Sequence, residues 1–331
     1  MTNHVEIVPW ASGLWQRLAE QQDQGRLPHA LLLCGHQGMG KHAFARSLAQ
    51  VLLCLHPEGG LGCGHCKSCE LLSSSTHPDL VHLCPEESGK AIKVDQVRDL
   101  TQFLHSTAQQ GGYRVVIVDP AESMNVNAAN ALLKSLEEPG QRTLIMLISH
   151  QPGQLMPTIR SRCQRIDFPA PKHEHAVDWL VGRLGLPPEK AAQLLSIAQD
   201  APLLAVKYQE EGLTSLRADL MKGLVDILKA RATPLELADK LQKQDLLLIT
   251  GWVYSVLVDI VRLQTASEAA KITNTDMEKM LSAVAKKADV AALFVLIDQL
   301  QAERVGLMER HNPNRQLLLE TLFMRWNRLV R

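Results

Sequence analysis

The chain has 331 residues, 46% of them hydrophobic and 21% charged, which is enough for two or three globular domains. Lysine plus arginine and aspartate plus glutamate both number 35, and this neutral balance excludes a strongly basic nucleic-acid-binding protein while leaving room for a local basic patch. The segment Met1–Trp10 lacks the basic start and apolar core of a signal peptide, and we expect no apolar run of membrane-spanning length. We therefore expect a cytoplasmic protein with no membrane partner.

Up to about residue 168, short apolar runs alternate with helical patterns. Five runs predict strands, at Ala30–Cys34, Asp79–Leu83, Tyr113–Asp119, Thr143–Ser149 and Gln164–Phe168. The central runs are nearly continuous valine, isoleucine and leucine, as expected for parallel strands covered on both faces. Helical patterns lie between them, at Val94–Ala108 and Asn125–Glu137. The alternation predicts an α/β domain with a parallel sheet and three layers over residues 1–168.

The first predicted strand leads into the sequence G-H-Q-G-M-G-K-H, which fits G-x-x-x-x-G-K-[ST] at every position except the last. Gly35, Gly38, Gly40 and Lys41 are the residues that would cradle phosphates at the start of the following helix and neutralise their charge. His42 stands where a hydroxyl would bind Mg²⁺, and imidazole is a poor ligand for that cation. ATP or ADP could still be held here, but we expect turnover to be very slow or absent.

Four cysteines, Cys54, Cys63, Cys66 and Cys69, form a C-x8-C-x2-C-x2-C pattern. Glycines near the last three permit the tight turns that bring thiolates together, and four thiolates suit a closed, tetrahedral structural zinc site. Disulfides do not suit a cytosolic chain, and a 4Fe–4S cluster, which uses the same ligands, is the weaker alternative. We therefore predict a structural zinc module at about residues 54–69.

Three further cysteines, Cys34, Cys84 and Cys163, fall in or beside predicted strands. Free cysteine is among the residue types most often buried in proteins. We therefore expect all three to be buried thiols.

The strand that ends at Asp119 is typical of those that carry the Mg²⁺-holding aspartate of an ATPase, in which a glutamate follows to orient the attacking water. Pro120 occupies that position and offers no carboxylate for general-base chemistry, and Glu122 is displaced by two residues. Ser149, at the end of the next strand, could sense a γ-phosphate, although a serine there is commonly only a cap. The changes at His42 and Pro120 affect metal binding and water activation together, and phosphoryl transfer depends on both.

Beyond the sequence F-P-A-P at 168–171, the strand patterns disappear. Residues 169–208 carry short helical patterns and predict a small helical domain. Residues 209–331 are amphipathic helices, for example Leu246–Leu263 and Asp289–Met308, and predict an all-α domain.

Several motifs resemble one family. N-A-A-N-A-L-L-K-S-L-E-E-P at 127–139 resembles the signature helix of AAA+ clamp-loader subunits, and T-I-R-S-R-C-Q at 158–164 carries their Ser-Arg-Cys motif. The H-P-D triplet at 77–79 and the four-cysteine insert belong to the same pattern. Over nearly its whole length the chain resembles the AAA+ clamp-loader family of bacterial DNA polymerase III, and within it the delta-prime subunits, which keep the zinc module but have a decayed nucleotide site.

The resemblance implies an AAA+ P-loop domain with a zinc-binding insert, then a lid domain at 169–208 and a collar domain at 209–331 that holds a ring together. It also implies that Arg162 is an arginine finger, because an always-charged guanidinium can stabilise a transferring phosphoryl group in the neighbouring subunit's ATP site. In this family an arginine of the lid contacts the nucleotide of its own chain. The matching stretch Gln199–Leu204 has no arginine, which is a third defect of the site. The stretch Asn314–Leu319 resembles the last collar helix.

The implied partners are ATP-hydrolysing gamma/tau subunits and a delta subunit, with the sliding clamp and primed DNA reached through the assembled complex. The leading hypothesis is a non-hydrolysing structural subunit of this clamp loader. One alternative is an active AAA+ ATPase subunit, which would need other groups in place of the missing hydroxyl and glutamate. Another is a zinc-dependent DNA-binding module, but Lys67 is the only lysine or arginine beside the cysteines, which argues against strong autonomous binding.

Overall fold

The structure is a computed structural model. It describes residues 7–87, 90–110, 112–266, 272–309 and 311–330. The chain forms two compact units, Met1–Lys172 and His173–Arg331. The second unit contains the expected collar, 209–331, and all but the first four residues of the expected lid, 169–208. The division of the chain into three domains stays a prediction.

The first unit is built on a parallel sheet with the strand order β2-β3-β4-β1-β5. The strands are β1 (Ala30–Cys34), β2 (Leu80–Leu83), β3 (Arg114–Val118), β4 (Thr143–Ser149) and β5 (Gln164–Asp167). β1, β3 and β4 are buried along their whole length, as expected for strands covered on both faces. The predicted parallel α/β class is confirmed, and every predicted strand is present to within about one residue at each end.

Helices connect the strands and cover the sheet. They are α1 (Ser12–Asp23), α2 (Lys41–Leu53), α3 (Lys67–Ser73), α4 (Val94–His105), α5 (Val126–Glu137) and α6 (Pro157–Arg160). Asn125 caps α5, because its side-chain oxygen accepts the backbone N–H of Ala128 at 2.8 Å. Leu100 of α4 and Leu132 of α5 belong to one buried cluster with strand residues such as Val116.

The strand order brings the sequence-predicted nucleotide residues to one edge of the sheet. Cys34, the last residue of β1, is in register with Ser149, the last residue of β4. Leu83, the last residue of β2, is in register with Val118, the last residue of β3. Because all these strands are parallel, the segments that follow them gather at the carboxyl edge, where open α/β sheets bind ligands.

The second unit is helical throughout its described residues. Its helices are α7 (His173–Leu184), α8 (Pro188–Ile197), α9 (Pro202–Glu210), α10 (Leu213–Leu228), α11 (Pro234–Leu241), α12 (Leu246–Thr265), α13 (Glu278–Ala285), α14 (Val290–Met308) and α15 (Arg315–Arg328). Buried residues from Ala176 in α7 to Trp326 in α15 form one hydrophobic core. The indole N–H of Trp326 donates to the backbone oxygen of Leu224 at 3.1 Å, so this deeply buried polar group is satisfied.

Helix α12 is long and apolar enough to cross a membrane by length and composition alone, so the expectation that no apolar run reaches this length is wrong. Half of its most apolar window is buried inside the unit. Asp259 lies on this helix and is fully buried, and its carboxylate accepts the backbone N–H groups of Thr273 and Asn274 at 2.9 and 2.8 Å. A core helix passes the same test, so this single helix is weak evidence of a membrane span.

Candidate functional site

The loop between β1 and α2 has the backbone of a phosphate loop. Gly38 and Gly40 have φ angles of 79° and 99°, in the left-handed region that favours glycine. Gly40 immediately precedes the first turn of α2. The loop therefore brings a helix N-terminus to the carboxyl edge of the sheet, the geometry that binds anions in other proteins.

The lysine of this loop is held by the loop itself. Lys41 is only 3% exposed, and its ammonium group donates to the backbone oxygens of Gly35 at 2.5 Å and His36 at 2.6 Å. Burial lowers the pKa of Lys41 to about 8, although the carboxylates of Asp119 and Glu122 act in the opposite direction. The positive charge that would neutralise a phosphate is thus bound by two neighbouring carbonyl groups.

The residue at the position of the missing hydroxyl contacts the expected Mg²⁺ ligand directly. Nδ1 of His42 lies 2.8 Å from Oδ2 of Asp119, with the two side chains 44% and 17% exposed. The ring of His82 is centred 5.1 Å from that of His42 at an interplanar angle of 64°. The protein around its ring partly removes His82 from water and lowers its pKa, although the residue as a whole is exposed, and the charge of His42 lowers the pKa further. Sequence reasoning missed His82, whose only local signal is its place near the end of a strand.

Glu122 has a partner that explains its displaced position. Its Oε1 accepts the backbone N–H groups of His150 at 2.8 Å and Gln151 at 3.2 Å, so it fixes the loop that follows β4. Ser149 is fully buried, and its hydroxyl has no hydrogen-bond partner among the described residues. Burial lowers the pKa of the neighbouring His150, and the charge of Lys41 adds to the effect.

The four predicted zinc ligands lie together. The sulfur of Cys54 is 3.5 Å from that of Cys63, 3.9 Å from that of Cys66 and 3.7 Å from that of Cys69, and the sulfurs of Cys63 and Cys69 are 4.0 Å apart. Four sulfurs bound tetrahedrally at about 2.3 Å from a zinc ion would be about 3.8 Å from one another. A disulfide would place two of them about 2.05 Å apart. The separations therefore fit one metal ion and no disulfide.

The local backbone supports the charged form of Cys66, whereas burial raises the pKa of Cys54 and raises that of Cys69 to about 12. The N–H of Cys63 donates to the sulfur of Cys54 at 3.3 Å, and the N–H of Cys69 donates to the sulfur of Cys66 at 3.5 Å. Burial raises the pKa of Cys66. The N–H groups of Cys69 and Leu55 and the neighbouring thiols lower it by more, so that the resulting pKa is about 6. Metal binding requires the thiolate form, so these donors favour it.

The alternatives for the cysteine cluster fit less well. In a 4Fe–4S cluster each thiolate binds a different iron, so the sulfurs would stand further apart than they do around a single ion. His65, which could in principle replace one cysteine as a ligand, is exposed, and its Nδ1 lies 2.8 Å from the backbone oxygen of Cys63, outside the group of four sulfurs. The four cysteines alone form the candidate centre in this segment.

The H-P-D triplet anchors this module to the sheet. Nε2 of His77 lies 2.8 Å from the hydroxyl of Ser68, which donates to the backbone oxygen of Leu53 at 2.6 Å. Nδ1 of His77 accepts the N–H of Asp79 at 3.0 Å, and the Asp79 carboxylate accepts the N–H groups of Gln109–Gln110 at 2.8 and 2.9 Å. Burial lowers the pKa of His77. One buried chain of hydrogen bonds thus joins the end of α2, helix α3 and the start of β2.

Of the three cysteines predicted to be buried, two are. Cys34 and Cys163 are buried, and burial raises the pKa of Cys163 to about 12. The prediction is wrong for Cys84, which is exposed. Cys84 directly follows the last residue of β2, where the chain leaves the sheet, so the apolar strand before it does not determine its burial.

Arg162 lies at the surface on the turn after α6. Its Nε donates to Oε1 of Glu137 at 2.8 Å, its Nη2 lies 2.5 Å from the same oxygen, and its Nη1 donates to the backbone oxygen of Thr158 at 3.0 Å. The side chains of Arg162 and Glu137 are 36% and 50% exposed. The neighbouring Arg160 and Arg165 are also exposed. The guanidinium of Arg162 is thus held in a defined position by the last residue of α5.

Two motifs of the second unit have clear local roles. In the stretch Gln199–Leu204, which contains no arginine, Oδ1 of Asp200 lies 2.7 Å from Nδ1 of His173. Asn314 caps α15, because its side-chain oxygen accepts the N–H of Leu317 at 3.0 Å.

Comparisons with known proteins agree over both units. A family model described as DNA polymerase III, delta subunit, matches residues 10–172, and one described as DNA polymerase III, delta subunit, C terminal, matches residues 211–328. The chain is 40% identical over 322 residues to the DNA polymerase III subunit delta' of Pseudomonas aeruginosa, and the alignment covers 97% of each of the two chains. It is 35% identical over 323 residues to that of Yersinia pestis and 31% identical over 321 residues to that of Escherichia coli K12, each covering 96% of this chain and 94% of the relative.

Proposed function

The chain belongs to the family of DNA polymerase III delta' subunits, as its motifs indicated, and we propose that it serves the clamp loader as a subunit that does not hydrolyse ATP. One observation carries the proposal: the imidazole of His42 lies 2.8 Å from the carboxylate of Asp119. In an active ATPase these two positions would hold Mg²⁺ from a hydroxyl and a carboxylate. Here they bind each other.

The rest of the site supports the same conclusion. Lys41 donates to carbonyl oxygens of its own loop, so a nucleotide phosphate would have to break two hydrogen bonds to recruit it. Pro120 has no carboxylate, and the nearest alternative, Glu122, accepts two backbone N–H groups with one oxygen. A water-activating base is thus missing along with the metal site, and hydrolysis depends on both.

We propose that the chain instead acts on a neighbouring subunit through Arg162. Its guanidinium is exposed, so it can be reached by another chain, and Glu137 holds it in one orientation. A planar, permanently charged group of this kind can stabilise the charge on a phosphoryl group that a partner transfers. The partners would be gamma/tau ATPase subunits, with a delta subunit in the same ring.

We also propose that Cys54, Cys63, Cys66 and Cys69 bind a structural zinc ion. Four of their six sulfur–sulfur separations are 3.5 to 4.0 Å and all six are within 4.8 Å, which fits a tetrahedral site. When bound, the ion would supply four coordinate bonds that cross-link the end of α2, the following loop and α3. Since four thiolates fill the coordination sphere, no position would remain for a substrate, and the role is structural.

The expected place of action follows from these proposals. Within the assembled loader the chain would help to place the sliding clamp on primed DNA, in the cytoplasm, with helix N-termini of the first unit available to DNA phosphates. The alternative of a zinc-dependent DNA-binding module is not favoured, because Lys67 is the only lysine or arginine next to the cysteines.

ATP turnover by the isolated chain tests the central proposal, with Lys41→Ala as the control for contaminating ATPases. We expect the same background rate from both proteins. Turnover that disappears in Lys41→Ala would establish an active ATPase, which is the alternative function, and would refute the interpretation of His42 and Pro120.

A further inference from the structure

A second group of metal-binding side chains lies at the carboxyl edge of the sheet, apart from the cysteines. Nδ1 of His42 is 2.8 Å from Oδ2 of Asp119, and one ligand atom from each of His42, His82 and Asp119 lies within 4.8 Å of the other two. Ligand atoms around one zinc ion, each about 2.0–2.2 Å from it, are separated by roughly 3 Å or slightly more. Small side-chain rotations would therefore close the set around an ion.

The backbone fixes these residues independently of one another. His42 lies in the first turn of α2, His82 lies in β2, and Asp119 directly follows β3. His82 is in register with Ile117, and the N–H of Asp119 donates to the backbone oxygen of Leu83 at 3.0 Å. Strand pairing thus places Asp119 two residues beyond the register partner of His82 before any ion binds, which lowers the entropic cost of assembling the site.

We propose that His42, His82 and Asp119 bind a divalent first-row transition-metal ion such as zinc. The site lies where an active P-loop ATPase holds Mg²⁺. Two imidazoles and one carboxylate favour such an ion over Mg²⁺, which prefers oxygen ligands. The ion takes the place of the hydrogen between Nδ1 of His42 and Oδ2 of Asp119, and the single proton of the neutral imidazole moves to Nε2 by exchange with solvent. Three protein ligands leave a fourth position for water.

The consequence is a different use of a decayed site. The bound ion joins the start of α2 to the ends of β2 and β3 without a nucleotide. The His42 side chain is 44% exposed, so the ion has a path from solvent. The inference stands on these three residues and does not require the proposed role of Arg162.

Cobalt titration of the full chain distinguishes this site from the cysteine cluster. Co²⁺ bound by thiolates gives intense sulfur-to-metal charge-transfer absorption, whereas Co²⁺ bound by nitrogen and oxygen gives only weak d–d bands. With the cysteine cluster already filled by zinc, we expect weak d–d absorption bands that grow with added Co²⁺ and saturate at one ion per chain. Added Zn²⁺ should displace the Co²⁺ and remove these bands, and Mg²⁺ should not. His82→Ala should weaken Co²⁺ binding by more than about tenfold, because it removes a direct ligand.

Three variants make the test decisive. Asp119→Asn should also weaken binding by more than about tenfold, while His175→Ala, which removes an exposed histidine from α7, should leave it unchanged. His82 is exposed on an edge strand, so its removal leaves the core intact, and thermal melting of His82→Ala confirms that it folds. A charge-transfer signal alone, no saturable weak signal, or equal affinity in His82→Ala and the unmodified chain would each overturn the proposal.

Discussion

Replacing Arg162 by alanine is expected to separate an effect on function from an effect on folding. In the folded chain the guanidinium contacts Glu137 through Nε and Nη2 and the backbone oxygen of Thr158 through Nη1. Both partners of the ion pair are more than a third exposed, at 36% and 50%. An exposed ion pair contributes about 1 kcal/mol or less, so we expect Arg162→Ala to change the unfolding free energy by no more than that.

The expected effect on catalysis is much larger. An arginine finger supplied in trans contributes about 10³- to 10⁵-fold to the rate at the site it serves. The DNA-stimulated ATPase of the assembled loader sums over several sites, of which Arg162 would serve one. If the sites act independently, Arg162→Ala should lower total turnover by the fraction that this one site contributes. If the sites act in concert, the loss should be larger.

The assay compares loaders assembled from the unmodified chain, Arg162→Ala, Arg162→Lys and Arg160→Ala. We expect Arg162→Lys to recover little, because an ammonium group lacks the planar, forked donors of a guanidinium. Arg160→Ala removes an exposed arginine two positions away and should behave as the unmodified chain. Assembly is checked by size-exclusion chromatography, so that lost activity is not confused with a lost subunit.

Two results would refute the reasoning. Unchanged ATPase activity in a fully assembled Arg162→Ala loader would remove the finger assignment. Equal losses in Arg162→Ala and Arg160→Ala would show that the surface as a whole, and not one guanidinium, affects turnover.

Further predictions concern the proposed zinc site and His77, which anchors its segment to the sheet. Cys66→Ser should lose bound zinc and several kcal/mol of folding free energy, on the order of one structural site; metal content and melting temperature equal to those of the unmodified chain would remove the zinc assignment. Burial lowers the pKa of His77 below its usual 6.5, so the folded state binds fewer protons than the unfolded state, and the unfolding free energy should fall as the pH drops through 6.5. Urea unfolding between about pH 7 and pH 5 should show a shallower fall in His77→Gln, and an identical slope would contradict this assignment.

Local patterns in the sequence determined the elements of the fold. Continuous apolar runs located the buried strands, because a parallel strand covered on both faces is apolar at every position. Helix starts were equally local: Asn125, Asp289 and Asn314 each cap the helix that follows with a side-chain oxygen. The cysteine cluster was predictable because its four cysteines lie within one short segment, so few backbone arrangements can separate them.

Contacts between distant segments were not predictable from these patterns. The pairing of His42 with Asp119 spans 77 residues, and the place of His82 beside them depends on β2 and β3 being neighbours in the sheet. The bonds of Glu122 to the loop after β4 depend on where that loop lies. Burial of Cys84 was predicted wrongly for a related reason, because hydrophobic character does not show where the chain turns away from the sheet.

The sequence alone thus determined the parallel α/β unit, the helical unit, the four-cysteine cluster and the loss of the consensus residues at His42 and Pro120. Only the tertiary structure decided which partners the residues of this loop have: Lys41 is bound by its own loop and His42 by Asp119. The physical reason is that strand and helix signals arise from residues close in the chain, whereas the partners of a side chain are set by the order in which strands pair.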